Sequence, residues 1–186
     1  MMYSGHDMCP DFLLEVVYMS TKNFNTNTDN KDEWLTPKYI IDCLGAFDLD
    51  PCSPAERRPW DTAKEHWGID SENPKDGLTE DWFGRVWCNP PYGRETFKWL
   101  DKLAEHGSGI ALIFARTETI GFHESVWNKA HSVMFFKGRL KFWHVDGVEG
   151  GTSNAPSVLV SYSEADTDKI REALTRGDLK GKLVIV

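Results

Sequence analysis

Four consecutive residues, Asn89-Pro90-Pro91-Tyr92, stand directly behind a short apolar run, Val86-Trp87-Cys88. An asparagine side-chain oxygen and the neighbouring proline carbonyl make a pair of acceptors able to take both N–H bonds of one planar amino group. Proline fixes its own φ and restricts the residue before it, so a carbonyl placed here stays aimed. The tyrosine adds a flat aromatic face on which a ring can stack. Two prolines after a strand can also do no more than end it. The cysteines point to no competing chemistry. Cys9, Cys43, Cys52 and Cys88 contain no Cys-x-x-Cys pair, so neither a zinc knuckle nor a redox dithiol is indicated and no metal is expected.

Asn-Pro-Pro-Tyr after a strand resembles the catalytic motif of S-adenosylmethionine-dependent methyltransferases that act on amino nitrogens. An exocyclic amino group conjugated to a base is a poor nucleophile, because its lone pair is delocalised into the ring. Accepting both of its N–H bonds pulls the nitrogen toward tetrahedral geometry and aims the lone pair at a sulfonium methyl. The tetrapeptide alone is compatible with adenine N6, cytosine N4, guanine N2 in RNA and a protein glutamine amide. The wider series is more selective. It comprises Asp32-Glu33-Trp34-Leu35-Thr36-Pro37, Phe47-Asp48-Leu49-Asp50-Pro51-Cys52, Asp76-Gly77-Leu78 before Trp82, Asn89-Pro90-Pro91-Tyr92-Gly93, Ala115-Arg116-Thr117-Glu118-Thr119 and Gly138-Arg139-Leu140-Lys141-Phe142. Together these resemble the phage-type DNA N6-adenine methyltransferase (Dam) family over about residues 32–162.

That resemblance implies S-adenosylmethionine as cofactor, double-stranded DNA with a flipped adenine as substrate, and a phage or prophage protein in the cytoplasm of a bacterial host. Asn89, Pro90, Pro91 and Tyr92 would form the catalytic turn, with the base held outside the duplex. Asp48 and Asp50, at a strand end, would line the cofactor site by accepting ribose hydroxyls or facing the methionyl ammonium; the bland reading is turn-capping acids before Pro51. Asp76 would meet the cofactor's adenine amino group, or simply make an Asp-Gly turn. Trp34, Thr36 and Pro37 would close over the cofactor, with core packing and helix capping as the alternatives. Arg94, Arg116, Lys137, Arg139 and Lys141 are the candidates for DNA, Arg116 having Glu118 as an alternative partner. Methyltransferases of this superfamily often carry a Gly-rich loop after their first strand; here that stretch is Asp-Pro-Cys-Ser-Pro, with no Gly between Asp48 and Arg58. Two other readings stay open: an N4-cytosine or RNA amino-methyltransferase, and a catalytically idle nucleic-acid-binding protein of the same fold.

The elements that must hold these residues follow from pattern. Thr36-Pro37 reads as an N-cap and first helical residue, opening a helix over 37–44 with Tyr39, Ile40, Ile41 and Leu44 on its apolar side and Gly45 as its stop. A short strand is expected over 46–50, then a long irregular connection with one helical turn near 62–67. Strand 85–88, helix 95–106, the apolar run 110–115 as a strand buried on both faces, helix 121–130 and strand 132–136 follow. Strand candidates 140–143 and 157–162 flank a Gly-rich loop, 146–153, and read as a C-terminal antiparallel pair. A helix over 166–176 and an edge strand over 183–186 end the chain. The expectation is a Rossmann-like α/β fold: a mostly parallel sheet, helices on both faces, and that antiparallel pair.

The chain has 186 residues, 40% hydrophobic and 27% charged, which suits one soluble domain with a real core. Residues 1–33 are polar enough to read as a flexible lead, with 34–186 as a single domain. No cleavable signal or membrane span is expected. The net charge of -8 excludes a protein that coats nucleic acid over its whole surface. Only 101–141 carries a positive surplus, with Lys129, Lys137, Arg139 and Lys141 in one run. That is the expected DNA-facing segment of a monomer binding weakly and salt-sensitively, with sequence choice carried by loops 54–81 and 144–156.

Overall fold

A computed structural model of the chain describes residues 34–54, 58–68 and 74–186. The lead expected over 1–33 lies outside the described residues. The elements run β1 (Trp34–Leu35), α1 (Lys38–Leu44), β2 (Leu49–Asp50), β3 (Glu65–His66), β4 (Val86–Cys88), α2 (Thr96–His106), β5 (Gly109–Phe114) and α3 (Ile120–Phe122), which continues as a π-turn over His123–Trp127. Then come β6 (Ser132–Phe136), β7 (Lys141–His144), β8 (Glu149–Thr152), β9 (Ser157–Ser161), α4 (Glu164–Arg176) and β10 (Gly181–Ile185).

A seven-stranded sheet has the order β10-β6-β9-β5-β4-β2-β3. Strand β5 shows why the sheet is its core. Ile110 and Leu112 pack on one face with Ile40, Leu44, Met134, Ile170 and Ala173, which come from α1, β6 and α4. Ala111 and Ile113 pack on the other with Trp99, Leu100, Leu103, Phe122 and Val126 from α2 and the α3 region. A continuous apolar run is what period-two side chains buried on both faces require. Helices therefore cover both faces, as expected.

The mostly parallel sheet is corrected. Pairs β2–β3, β2–β4 and β4–β5 are parallel, whereas β5–β9, β6–β9 and β6–β10 are antiparallel. The reason is β9, which runs opposite to β5 and β6 and lies between them. The expected pairing of 140–143 with 157–162 is also not formed. Strand β7 instead pairs with β8 and β1 in a separate three-stranded sheet, order β1-β7-β8. The Gly-rich loop thus supplies a strand, Glu149–Thr152. The terminal edge strand is present, paired along its length with β6.

Two local readings change as well. Near 62–67 the chain makes β3 rather than a helical turn, because the backbone of 64–67 pairs with that of 47–50. Helix α1 is capped at Pro37 without a side-chain hydrogen bond, so Thr36 is not its cap, and Tyr39 is exposed rather than on the apolar face. Gly45 does end it, at φ +87°.

The amino ends of the parallel strands are locked by a buried ion pair. Arg85 Nε donates to Asp166 Oδ1 at 2.6 Å, and Asp166 Oδ2 accepts from the Gly109 N–H at 2.7 Å. Arg85 also donates to the carbonyls of Leu44 and Ala46, and its guanidinium lies over the Phe47 ring. This joins α4, α1, β4 and β5 at one edge.

Candidate active site

The opposite edge, at the carboxyl ends of β2, β4 and β5, gathers the residues with chemical potential. Strand β4 delivers Asn89 directly, and the turn that follows is pinned to the start of α2. There the Thr96 hydroxyl donates to the Pro91 carbonyl at 2.8 Å and accepts from the Gly93 N–H at 3.0 Å. Pro90 is buried while Pro91 is exposed. The Asn89 amide nitrogen points at the Trp34 carbonyl, and its oxygen at the Tyr92 hydroxyl, each at 3.4 Å. Contacts this long are weak. They fix which way the amide faces without committing its oxygen to a strong partner. Among the described residues nothing hydrogen-bonds the Pro90 carbonyl.

Tyr92 lies flat on Phe114, the last residue of β5, with ring centroids 4.0 Å apart and planes 5° from parallel. Burial pushes its phenol above the usual tyrosine range. Tyr92 and Phe114, together with Trp34, Phe142 and residues 151–154, line an open cleft of about 70 Å³. Four of its walls are aromatic side chains, a chemistry suited to a planar ring.

Asp50 ends β2 on the same edge and is fully buried. Its carboxylate accepts the Thr62 hydroxyl and the Cys52 N–H, at 2.5 and 3.2 Å. Desolvation raises its pKa to about 6, against the opposing pull of Thr62, the Cys52 N–H and the Arg58 charge. His66 accepts N–H bonds from Thr62 and Ala63 on Nε2, and burial, with Arg58 adding to it, lowers its pKa to about 4. It is therefore neutral at pH 7 and braces the loop that carries Thr62. Asp76 caps its own turn through the Leu78 N–H. That turn is seated against β2: a Cβ on Gly77 would stand 2.1 Å from the Pro51 carbonyl oxygen. Gly77, the neighbour of Asp76, thus packs on Pro51, the neighbour of Asp50.

Trp34 and Thr36 approach from β1. Trp34 reaches Asn89 through its carbonyl, while the Thr36 carbonyl accepts the Trp60 indole N–H at 3.1 Å. The Thr36 hydroxyl is buried with no partner among the described residues. A buried hydroxyl costs free energy unless something hydrogen-bonds it. Pro37 is on the far side, in a groove with Lys38 and Trp60.

Asp48, like Pro37, lies elsewhere. Asp48 precedes β2 and sits at the amino edge, where it accepts the Arg85 N–H at 2.9 Å and pairs with Lys64 at 2.8 Å. Of the cations, Arg94 follows the 89–92 turn, Arg116 follows β5, and Lys137 and Arg139 follow β6, all at the carboxyl edge and exposed. Arg116 forms no ion pair with Glu118, while Lys141 meets Glu149 at 3.1 Å. Sequence reasoning missed Phe114, Thr62, His66 and Thr96. Only Thr96 carried a readable signal: a hydroxyl three residues past the glycine, at the start of a helical pattern.

No group of three His, Cys, Asp or Glu side chains among the described residues is arranged to hold a metal, and none of their helices is long and apolar enough to cross a membrane. The family model for DNA N-6-adenine-methyltransferase (Dam) matches residues 23–180. No curated protein and no solved structure matches the chain.

Proposed function

The chain belongs to the DNA N-6-adenine-methyltransferase (Dam) family, and from that membership we propose that it transfers the methyl group of S-adenosylmethionine to N6 of adenine in double-stranded DNA. The observation that carries this reading is the Asn89–Pro90 acceptor pair at an open aromatic cleft, with buried Asp50 on the same sheet edge.

Each residue then has a task. Asn89 Oδ1 and the Pro90 carbonyl accept the two N–H bonds of the adenine amino group and turn its lone pair outward. The Trp34 carbonyl, by holding the Asn89 amide nitrogen, keeps the oxygen on the substrate side. Tyr92 stacks on the flipped base, and Phe114 keeps the Tyr92 ring flat. The four aromatic side chains of the cleft exclude water. The amino proton lost on transfer leaves along the two acceptors to solvent, so no strong base is required.

S-adenosylmethionine supplies a methyl group already activated on a sulfonium. The residues fit it: Asp50 and Asp76 are acceptors for its hydroxyl and amino groups, and the unpartnered Thr36 hydroxyl is a further polar contact. Asp48 has no part in this site. A Rossmann-like reading of the fold agrees with ligand binding at the carboxyl ends of β2 and β4. The exposed Arg94, Arg116, Lys137, Arg139 and Lys141 give a local basic rim to an acidic protein, enough for the few phosphate contacts that position a duplex. The reading extends to a monomer acting in the cytoplasm of a bacterial host, as a phage or prophage protein.

The test is incubation with tritiated S-adenosylmethionine and unmethylated duplex DNA, digestion to nucleosides and identification of the labelled one. Label in N6-methyladenine is expected. Label in cytosine would replace adenine as the substrate, and absence of label from every nucleoside would overturn the enzyme reading.

A further inference from the structure

The small sheet β1-β7-β8 has two usable faces. Along β7, Phe142 points into the aromatic cleft beside Tyr92, while Lys141 and Trp143 line a separate groove of about 540 Å³ on the reverse side. The walls of that groove mix aromatic rings with cations. Trp60 and Trp143 meet edge to face, centroids 5.4 Å apart at 83°, and Tyr39 adds an exposed ring. Lys38, Arg139 and Lys141 supply the charge. Trp60 is held in place by its indole N–H on the Thr36 carbonyl, so the platform is preformed.

We propose that this groove binds unpaired single-stranded DNA next to the cleft, a role that rests on the DNA reading above. Duplex DNA presents phosphates and base edges, whereas half-buried indole rings can be engaged only by the faces of bases that have left the stack. Stacking on aromatics with cations along the backbone is the chemistry of single-strand binding. The charge is available. Arg139 has no carboxylate within ion-pairing distance among the described residues, and the partners of Lys38 and Lys141, Asp42 and Glu149, are exposed. Exposed pairs of this kind are weak and can be exchanged for phosphate. Thr152 lines both the groove and the cleft, so the two are neighbours.

Fluorescence anisotropy of a labelled oligothymidylate of about a dozen nucleotides tests this, because thymine has no amino group to occupy the catalytic turn. Binding that weakens with salt is expected, together with tryptophan quenching at saturation. Trp143→Ala and Arg139→Glu should each weaken it about tenfold, with Arg139→Glu, an exposed change, covering the case in which Trp143→Ala fails to fold. Asn89→Ala should bind the oligomer as the unmodified chain does. Variants within twofold of the original affinity, or an unlabelled duplex of equal length competing as well as the single strand, would overturn the proposal. Oligothymidylate binding without methyl transfer to adenine would sink the enzymatic reading and leave the groove standing; transfer without such binding would do the reverse.

Discussion

Asp48 and Asp50 flank Leu49 on one segment of chain, and they live in opposite environments. Asp48 stands at the amino edge of the parallel strands, where the Arg85 N–H and Lys64 hold its pKa below the ordinary 3.8. Asp50 stands at the carboxyl edge with no cation in direct contact, and desolvation raises it to about 6. The amino edge is tightly bonded: Arg85 Nε and Nη1, both Asp166 oxygens, the Gly109 N–H and two backbone carbonyls pair with one another, and Arg85 Nη2 alone of that guanidinium has no partner among the described residues. The carboxyl edge is under-satisfied, with Asn89 in two weak contacts and the Thr36 hydroxyl unpartnered. One edge is built to hold the sheet, the other to receive something.

Breaking the carboxyl edge should therefore cost activity, and breaking the amino edge should cost stability. Asn89→Ala should lower methyl transfer to DNA by ~10²-fold or more, with cofactor affinity, measured by calorimetry, unchanged within a few-fold. A comparable loss of cofactor binding would merge the two roles. Arg85→Met leaves Asp166 buried without its partner and should destabilise the fold by about 3 kcal/mol in urea unfolding, while KM for DNA stays put.

Asp50→Asn should weaken cofactor binding about tenfold, whereas Asp48→Asn should leave it within twofold. Equal effects would erase the distinction between the edges. The pH dependence sharpens it further. A carboxyl whose folded pKa is raised binds its proton more tightly when folded. Its favourable contribution is complete below the ordinary 3.8 and is lost as pH rises through about 6. The unmodified chain should accordingly lose up to about 3 kcal/mol from Asp50 across that interval, and Asp50→Asn should not. Asp48, lowered rather than raised, contributes at neutral pH and loses its contribution only as pH falls through its depressed value. Urea unfolding of both variants across this range separates the two.

The smallest effect belongs to Phe114→Leu. It keeps an apolar contact but removes the flat partner of Tyr92, and should raise KM for DNA a few-fold with little change in stability, read from steady-state kinetics.

Much of the site could be read before the fold was known because it is local. Asn89 to Tyr92 is contiguous, and the apolar run 110–114 announces a central strand by composition alone. What was not legible depends on contacts distant in sequence. Asp48 belongs to the amino edge because it takes the N–H of a residue 37 positions away. Phe114 becomes part of the cleft only once the 89–93 turn folds over it. Glu149-Gly-Gly-Thr has little strand propensity of its own and extends because β7 supplies its ladder. The glycine-free Asp50–Pro54 stretch gave no sign that a glycine packs closely there, since Gly77 is brought in from 26 residues downstream of Pro51.

The position of β9 has a consequence for synthesis. Its ladder joins Ile110 to Ser161 and Phe114 to Ser157, so the middle of the sheet cannot close until residues 157–161 have emerged from the ribosome. A nascent chain already carrying the catalytic turn would still expose the apolar flank of β5, a delay typical of pairings that span long loops. Interruption of translation before codon 157 should yield an aggregation-prone fragment, however complete its motifs.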